Sequence, residues 1–430
     1  MFKRLFRDRS GNFGMMTAIL LVPVIGTAGL AIDISNALMV RSTLQAAADA
    51  AAIAAVAETS AGVIQAMRLN SDGQLTDAIE DAKKVFMGHA NMSEDYQLKD
   101  FDVDVVKAGT QLKAVFTFNA TVPTTLARIL GQADVTVAGK AEAVFQTDTF
   151  RDFYLLLDNT PSMGVGATPT DVDKMVANTG DKCAFACHIV KNGVEDMNSY
   201  YNLAKRLGVT IRIDVVAQAT AALMDTAKSS RKSSNQYRMA VYTFGEKAED
   251  TKLLEVSSLN DNLDQVKTMA SKIGLMSIPK QGYDNDQQTD FDRALKSIGA
   301  LMGTAGTGSS AGNPEKILFF VSDGVGDSYK PSSCTKATTS GRCQEPIDTT
   351  QCEVLKNKGY RIAVLYTTYL PLPTNDWYKK WIKPFQNEIP TRMQACASPG
   401  LYFEVSPSQG IADAMNALFL KIITSPRLSS

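Results

Sequence analysis

Phe153 to Met163 reads FYLLLDNTPSM, an apolar run that ends abruptly in a carboxylate and two hydroxyls. Phe153 to Leu157 has no polar interruption, the pattern of a strand buried on both faces of a parallel sheet, and Asp158 falls at its carboxyl end. Thr160 and Ser162 follow on the next turn, so three oxygen-bearing side chains can converge on one point. A second apolar run, KILFFVSDG, delivers Asp323 and Gly324 in the same way. Between the two, QQTDFDRAL opens a helix at Thr289 with Asp290 and Asp292 in its first turn, where the helix dipole favours acidic side chains.

Working outward, residues 148–430 alternate apolar runs with helical spacing. Strands are expected at Phe153–Leu157, Tyr237–Phe244, Lys252–Val256, Ile317–Ser322, Tyr360–Tyr366 and Leu401–Val405. Helices are expected at Val209–Lys228, Leu259–Ile273, Asp290–Met302, Thr349–Lys358 and Gly410–Ile422. That alternation predicts an α/β unit with a doubly wound sheet and helices on both faces. In such sheets ligands bind outside the carboxyl ends of the strands, where Asp158 and Asp323 would be neighbours. Residues 164–208 form a long polar insertion after the first strand.

Asp158-x-Thr160-x-Ser162, Thr289 and Asp323 resemble the metal-ion-dependent adhesion site of von Willebrand factor type A domains, whose fold is Rossmann-like. The family writes its first element Asp-x-Ser-x-Ser; here Thr160 keeps the middle hydroxyl and adds a methyl. Carboxylates and hydroxyls without thiolate or imidazole favour a hard cation, Mg²⁺ or Mn²⁺ (or Ca²⁺). The resemblance implies that Thr160 and Ser162 coordinate directly, that Asp158 and Asp323 act directly or through water, and that Thr289 completes the set. It also implies a remaining position for an acidic side chain of a partner protein. A reading without metal has the two aspartates capping helices and the hydroxyls filling turns.

At the N-terminus Lys3, Arg4, Arg7 and Arg9 precede residues 15–34, MMTAILLVPVIGTAGLAIDI, which match the ~20 apolar residues that cross a bilayer. The run is long for a cleaved signal peptide and passes straight into another helical pattern, so it reads as an uncleaved transmembrane helix. The basic flank, residues 1–14, then stays cytoplasmic and the rest is exported. Asp33 marks the aqueous edge. Residues 35–60 form an alanine-rich helix whose small side chains suit close approach to its own domain or to a partner subunit. Residues 61–147 read as a small α+β domain, with a helix at Leu75–His89 and half-exposed strands at Phe101–Val106, Leu112–Ala120 and Val135–Phe145.

The block RDRSGNFGMMTAILLVPVIGTAGLAIDISNALMVRSTLQAAADAAAIAA resembles the N-terminal region of TadG-like proteins of the tight-adherence (Flp) pilus system. Asp33, Arg41, Leu44, Gln45, Ala48, Asp49 and Ala50 fall on that family's pattern. The resemblance implies a single-pass protein of the bacterial inner membrane with a periplasmic C-terminal domain. Its partners would be other pilus-assembly or envelope proteins. Gly14 offers an alternative, a prepilin leader cleaved after it in a surface adhesin or minor pilin. Ile19 stands where prepilins place Glu, which argues against cleavage.

All six cysteines follow the span, and an even count in an oxidising compartment predicts disulfides. Proximity pairs Cys183 with Cys187, Cys334 with Cys343, and Cys352 with Cys396. The motif CAFACH misses the covalent haem spacing, and zinc there would lack a fourth ligand. Ser162 with His188 has no G-x-S-x-G elbow and no orienting carboxylate, and the glycine-rich stretch Gly303–Lys316 lacks a phosphate loop's Gly-Lys-Ser/Thr ending. A binding protein is therefore expected rather than an enzyme, with a metal-dependent hydrolase the weaker alternative. Trp377, Trp381 and Phe385 recur at four-residue spacing, either as core or as a membrane or partner face. With 44 basic and 45 acidic residues the net charge is −1, which argues against nucleic acid as a partner.

Overall fold

A computed structural model describes residues 12–69, 71–90, 94–250, 252–283, 289–369, 371–373, 375–406 and 410–424. Lys3, Arg4, Arg7 and Arg9 lie outside the described residues. The chain divides into two compact units, residues 1–148 and 149–430.

In the first unit α1 (Asn12–Val56) is one unbroken helix, so the apolar run and the alanine-rich run are continuous through Pro23. It is long and apolar enough to cross a membrane. α2 (Ala61–Arg68), β1 (Gly73–Gln74), α3 (Thr76–His89), β2 (Gln97–Ala108), β3 (Gln111–Pro123) and β4 (Asp134–Gln146) follow, the strands forming an antiparallel sheet in the order β1-β2-β3-β4. The second half of α1 buries Leu44, Ala47, Ala48, Ala51, Ala52 and Ala55 in this unit's own core, together with Phe86 of α3 and Phe116 of β3. The alanines thus face their own domain, where short side chains let a helix sit close to a sheet. His89 is exposed at the end of α3. Asp33 is not left at an open edge: it is 3% exposed and accepts backbone N–H groups from Thr125, Leu126 and Ala127.

The second unit opens with β5 (Arg151–Leu157) and a tight helical turn at Pro161–Gly164. The insertion carries α4 (Pro169–Asn178), a hairpin of β6 (Val190–Lys191) and β7 (Val194–Glu195), and α5 (Tyr200–Leu207). Then come α6 (Arg212–Ser230), β8 (Tyr237–Thr243), β9 (Leu254–Asn260), α7 (Leu263–Ala270), α8 (Phe291–Met302) and β10 (Glu315–Ser322). β11 (Val325–Tyr329), β12 (Thr338–Thr339), β13 (Arg342–Pro346), α9 (Thr350–Asn357), β14 (Arg361–Thr367), α10 (Ile389–Cys396), β15 (Tyr402–Val405) and α11 (Ile411–Thr424) complete it. The main sheet has the order β15-β14-β10-β5-β8-β9, parallel except for the edge strand β9.

Alternation along β5 shows why both faces need cover. Phe153, Leu155 and Leu157 join a core with α6 (Leu223), α7 (Val266) and α11 (Phe419), while Tyr154 and Leu156 join a second core with α8 (Leu295), α9 (Leu355) and α10 (Met393). Each fully buried side chain of this size contributes about 1.5–3 kcal/mol. Central strands with two covered faces hold the carboxyl edge of β5 and β10 in place.

Several expectations shift. β9 begins later than Lys252 and pairs antiparallel, and β11-β13-β12 form a separate three-stranded sheet that the sequence did not suggest. Cys334 is bonded to Cys343 and Cys352 to Cys396. Cys183 and Cys187 are a correction: both are unbonded, half-buried thiols. Phe185 N–H donates to the Cys183 sulfur at 3.4 Å, so that sulfur is engaged by its own loop.

Candidate metal centre

β5 and β10 are parallel neighbours with Leu157 opposite Val321, and the Asp158 N–H extends the ladder to the Val321 carbonyl at 2.9 Å. Asp158, Ser322 and Asp323 therefore leave the sheet side by side at its carboxyl edge. Gly324, at φ +73°, turns the chain away where a Cβ would meet Ile389 at 2.6 Å, so the turn that aims Asp323 requires glycine.

Asp158 is a hub. Its Oδ1 accepts the Thr160 N–H at 3.0 Å and the Thr160 hydroxyl at 2.7 Å, and its Oδ2 accepts the Ser322 hydroxyl at 2.5 Å. The Thr289 hydroxyl donates to Thr160 Oγ1 at 2.9 Å, and Thr160 Oγ1 lies 3.4 Å from Ser162 Oγ. Thr289 is fixed by reciprocal backbone bonds with Asp327 of β11, at 2.8 and 3.0 Å. Asp323 Oδ1 accepts the Val325 N–H at 3.2 Å. The structure thus brings Asp158, Thr160, Ser162, Thr289 and Asp323 together from three chain segments. Asp290 and Asp292 stand apart: Asp290 caps α8 through the Arg293 N–H, and Asp292 pairs with Lys330 at 2.8 Å.

Two members were not foreseen. Ser322 ends an apolar strand and reads as part of it. Arg212, the first residue of α6, is fully buried with Nη1 3.3 Å from Asp323 Oδ2. Its Nε and Nη2 are buried without a hydrogen-bond acceptor, and its guanidinium lies 5.3 Å from the Tyr369 ring. A lone arginine 111 residues before its partner carries no sequence signal.

Electrostatically the cluster is short of positive charge. Burial pushes the Asp158 carboxyl up against its hydrogen bonds, and burial followed by the Asp158 charge pushes Asp323 up to about 7. Two carboxylates against one guanidinium leave an excess negative charge when both are ionised. An all-oxygen donor set with unrelieved negative charge fits a hard divalent cation. Asp158, Thr160, Ser162, Thr289 and Asp323 are the residues that could hold it.

Beside the cluster lies a cleft of about 430 Å³ lined by Ser162, Thr289, Cys187, Asp327, Arg342 and Trp377 among others. Arg342 grips Asp327 through Nε at 2.8 Å and Nη2 at 2.5 Å and lies 4.8 Å from the Trp377 ring, while Trp377 Nε1 donates to Gln344 at 2.7 Å. Trp377 is a cleft wall, and Phe385 belongs to the core. The hydrogen bond between the thiols holds Cys183 below its ordinary value and, with burial, pushes Cys187 well above it. Both ring nitrogens of His188 face other groups, Nδ1 2.9 Å from the Leu275 carbonyl and Nε2 3.6 Å from Glu195.

Known proteins add the following. No curated protein matches the chain. Solved structures give distant likenesses: the pilus adhesin SpaC from Lactobacillus rhamnosus GG (13% identity, TM-score 0.37, 77% of this chain and 35% of that one), and the vWF domain of the type V pili tip protein Mfa5 from Porphyromonas gingivalis (10%, TM-score 0.36, 66% and 99%). The adhesive tip pilin GBS104 from Group B Streptococcus agalactiae is similar at 14%, TM-score 0.34, over 63% and 99%. The chain spans about a third of the length of SpaC, and at these scores the likenesses carry no argument for the site. The sequence model of the family Tad, "Putative Flp pilus-assembly TadE/G-like", matches residues 11–58, so what is similar to that family is the segment that holds most of α1.

Proposed function

We propose that the chain is a membrane-anchored component of Flp (tight-adherence) pilus assembly. In this reading its second unit is a von Willebrand factor type A domain that binds a partner protein through a hard divalent cation. The TadE/G-like match over residues 11–58 and the apolar first half of α1 support the pilus and anchoring parts. By the positive-inside rule, the basic flank favours a cytoplasmic N-terminus, with the chain beyond the span, residues 35–430, in the periplasm. The observation that carries the binding part is the convergence of Asp158, Thr160, Ser162, Thr289 and Asp323 at one edge of the sheet, the first four linked by hydrogen bonds, with the cleft reached through Ser162 and Thr289.

A bound Mg²⁺, Mn²⁺ or Ca²⁺ would act as a Lewis acid for a carboxylate of the partner. The chain's own residues do the rest. Asp158, held by Thr160 and Ser322, fixes the donor set before any ligand arrives, so little ordering is left to the binding step. Arg212 adds a positive charge beneath the site, so the loaded cluster carries net positive charge toward an approaching Asp or Glu. Walls of Trp377 and the Asp327–Arg342 pair give the cleft an aromatic and polar lining suited to a polypeptide segment.

Co-purification from the native membrane, with and without EDTA, tests this. Pilus-assembly proteins should be retained by the wild type in Mg²⁺ and lost in EDTA or with Ser162→Ala. Retention insensitive to both would refute the cation-dependent grip.

A further inference from the structure

Asp33 and Gly29 lie one turn apart on the same face of α1, and both meet the turn that joins β3 to β4. Asp33 Oδ1 accepts the Thr125 N–H at 2.9 Å, and its Oδ2 accepts those of Leu126 at 3.0 Å and Ala127 at 2.6 Å. At Gly29 a Cβ would fall 2.6 Å from Leu126 Cβ, so the turn is pressed against the helix where only glycine leaves room. The turn closes on itself: Ile129 N–H donates to the Leu126 carbonyl, Gly131 to Arg128 and Gln132 to Ala127. At its tip Ile129 is 81% exposed, more than any large apolar side chain of residues 15–34. Arg128 beside it is exposed as well.

We propose that the turn Thr125–Gly131 is a membrane-interfacial wedge, pinned by Asp33 to the outer end of the span, with Ile129 entering lipid and Arg128 reaching headgroup phosphates. Gly29 lies about 7 Å inside the end of residues 15–34 at 1.5 Å per residue, so a turn packed on it sits at the boundary between headgroups and acyl chains. Irregular backbone at that depth needs every polar group satisfied, which the Asp33 carboxylate does for three N–H groups. An isoleucine exposed to this degree, continuous with a surface that meets lipid, fits the bilayer rather than a protein partner, and a long basic side chain beside it can extend to the phosphates that lipids of either leaflet carry. The inference rests on the anchoring reading and is independent of the cation site.

The test uses the full chain in liposomes of phosphatidylethanolamine and phosphatidylglycerol with brominated acyl chains, in a Trp377→Phe, Trp381→Phe background. A single tryptophan is introduced as Ile129→Trp, as Val22→Trp within the span, or as Gln111→Trp at the far end of β3. Quenching of Ile129→Trp and Val22→Trp but not of Gln111→Trp is the expected result. Adding Asp33→Asn should abolish quenching of Ile129→Trp and spare Val22→Trp. If Ile129→Trp is unquenched while Val22→Trp is quenched, water or a protein covers the turn and the wedge is refuted. If Val22→Trp is also unquenched, the anchoring reading falls and the wedge with it. Unchanged quenching of Ile129→Trp with Asp33→Asn would overturn the pinning role.

Discussion

Arg212 and Asp323 form an ion pair with Nη1 3.3 Å from Oδ2, and neither side chain reaches solvent. A guanidinium buried with two nitrogens unpaired is costly to keep, and its presence is explained by the two carboxylates it faces. Arg212→Met is expected to destabilise the second unit by about 3–5 kcal/mol in EDTA, because two buried acids lose the guanidinium they share. Mg²⁺ should recover more of that loss than it adds to the wild type, since a cation would replace the missing charge. Melting curves in both conditions check this; an equal deficit with and without Mg²⁺ would show that Arg212 acts only by packing.

Ser322→Ala removes the 2.5 Å bond to Asp158 Oδ2 and leaves a buried carboxylate oxygen with one donor fewer. Hydrogen bonds to charged groups are worth about 1.5–3 kcal/mol, and a loss of that order is expected in urea unfolding. Thr160→Val should cost at least as much in stability, because the Thr160 hydroxyl also accepts from Thr289.

Glu315 sits between Arg151 at 2.9 Å and Arg361 at 3.1 Å, one on each neighbouring strand. Burial alone would raise its carboxyl, but the charges of Arg151 and then Arg361 overcome burial and hold it below the ordinary 4.5. A depressed folded-state value means stability that is fully present above the ordinary value and is lost as pH falls through the folded one. Glu315→Gln should therefore be less stable than wild type at neutral pH, with the gap closing only below about 4.5. Denaturation midpoints measured from pH 7 to pH 3 check it, and a gap that widens on acidification would contradict it.

The Cys352–Cys396 disulfide closes a separation of 44 residues and ties α9 to α10, whereas Cys334–Cys343 closes only 9. Loop-closure entropy assigns about 4 kcal/mol to the first and roughly 2.6 kcal/mol to the second. Cys352→Ser with Cys396→Ser should lower the melting temperature more than Cys334→Ser with Cys343→Ser. The reverse order would indicate that the small sheet β11-β13-β12 is more dependent on its crosslink than chain entropy implies.

What the sequence disclosed followed the strength of each local pattern. β5 and β10 were legible because a strand covered on both faces is apolar through its centre, as in Phe153–Leu157 and Ile317–Val321, and the two carboxylates end those runs conspicuously. α8 announced itself by its period and its acidic first turn, although Asp290, read as part of that turn, is its cap. The small sheet was invisible because VGDSY and RCQEP are short and polar, and their pairing is decided by the loop that Cys334–Cys343 closes. Arg212 and Ser322 were missed for a common reason. Each gains its meaning from a partner more than 100 residues away, and neither residue type signals burial. Asp33 was read from its place at the end of an apolar run, while the turn it holds lies 92 to 94 residues on.

The most direct test of the central claim is a thermal melt of the second unit in EDTA, Mg²⁺, Mn²⁺ or Ca²⁺, for the wild type and Asp158→Ala. A cation at 100 times its dissociation constant adds about 2.7 kcal/mol, a rise of a few degrees in a unit of this size. That rise is expected in the wild type with at least one of the three ions, and its loss in Asp158→Ala. A wild type unmoved by every ion, or a shift that survives Asp158→Ala, would contradict a cation site at the edge of β5 and β10.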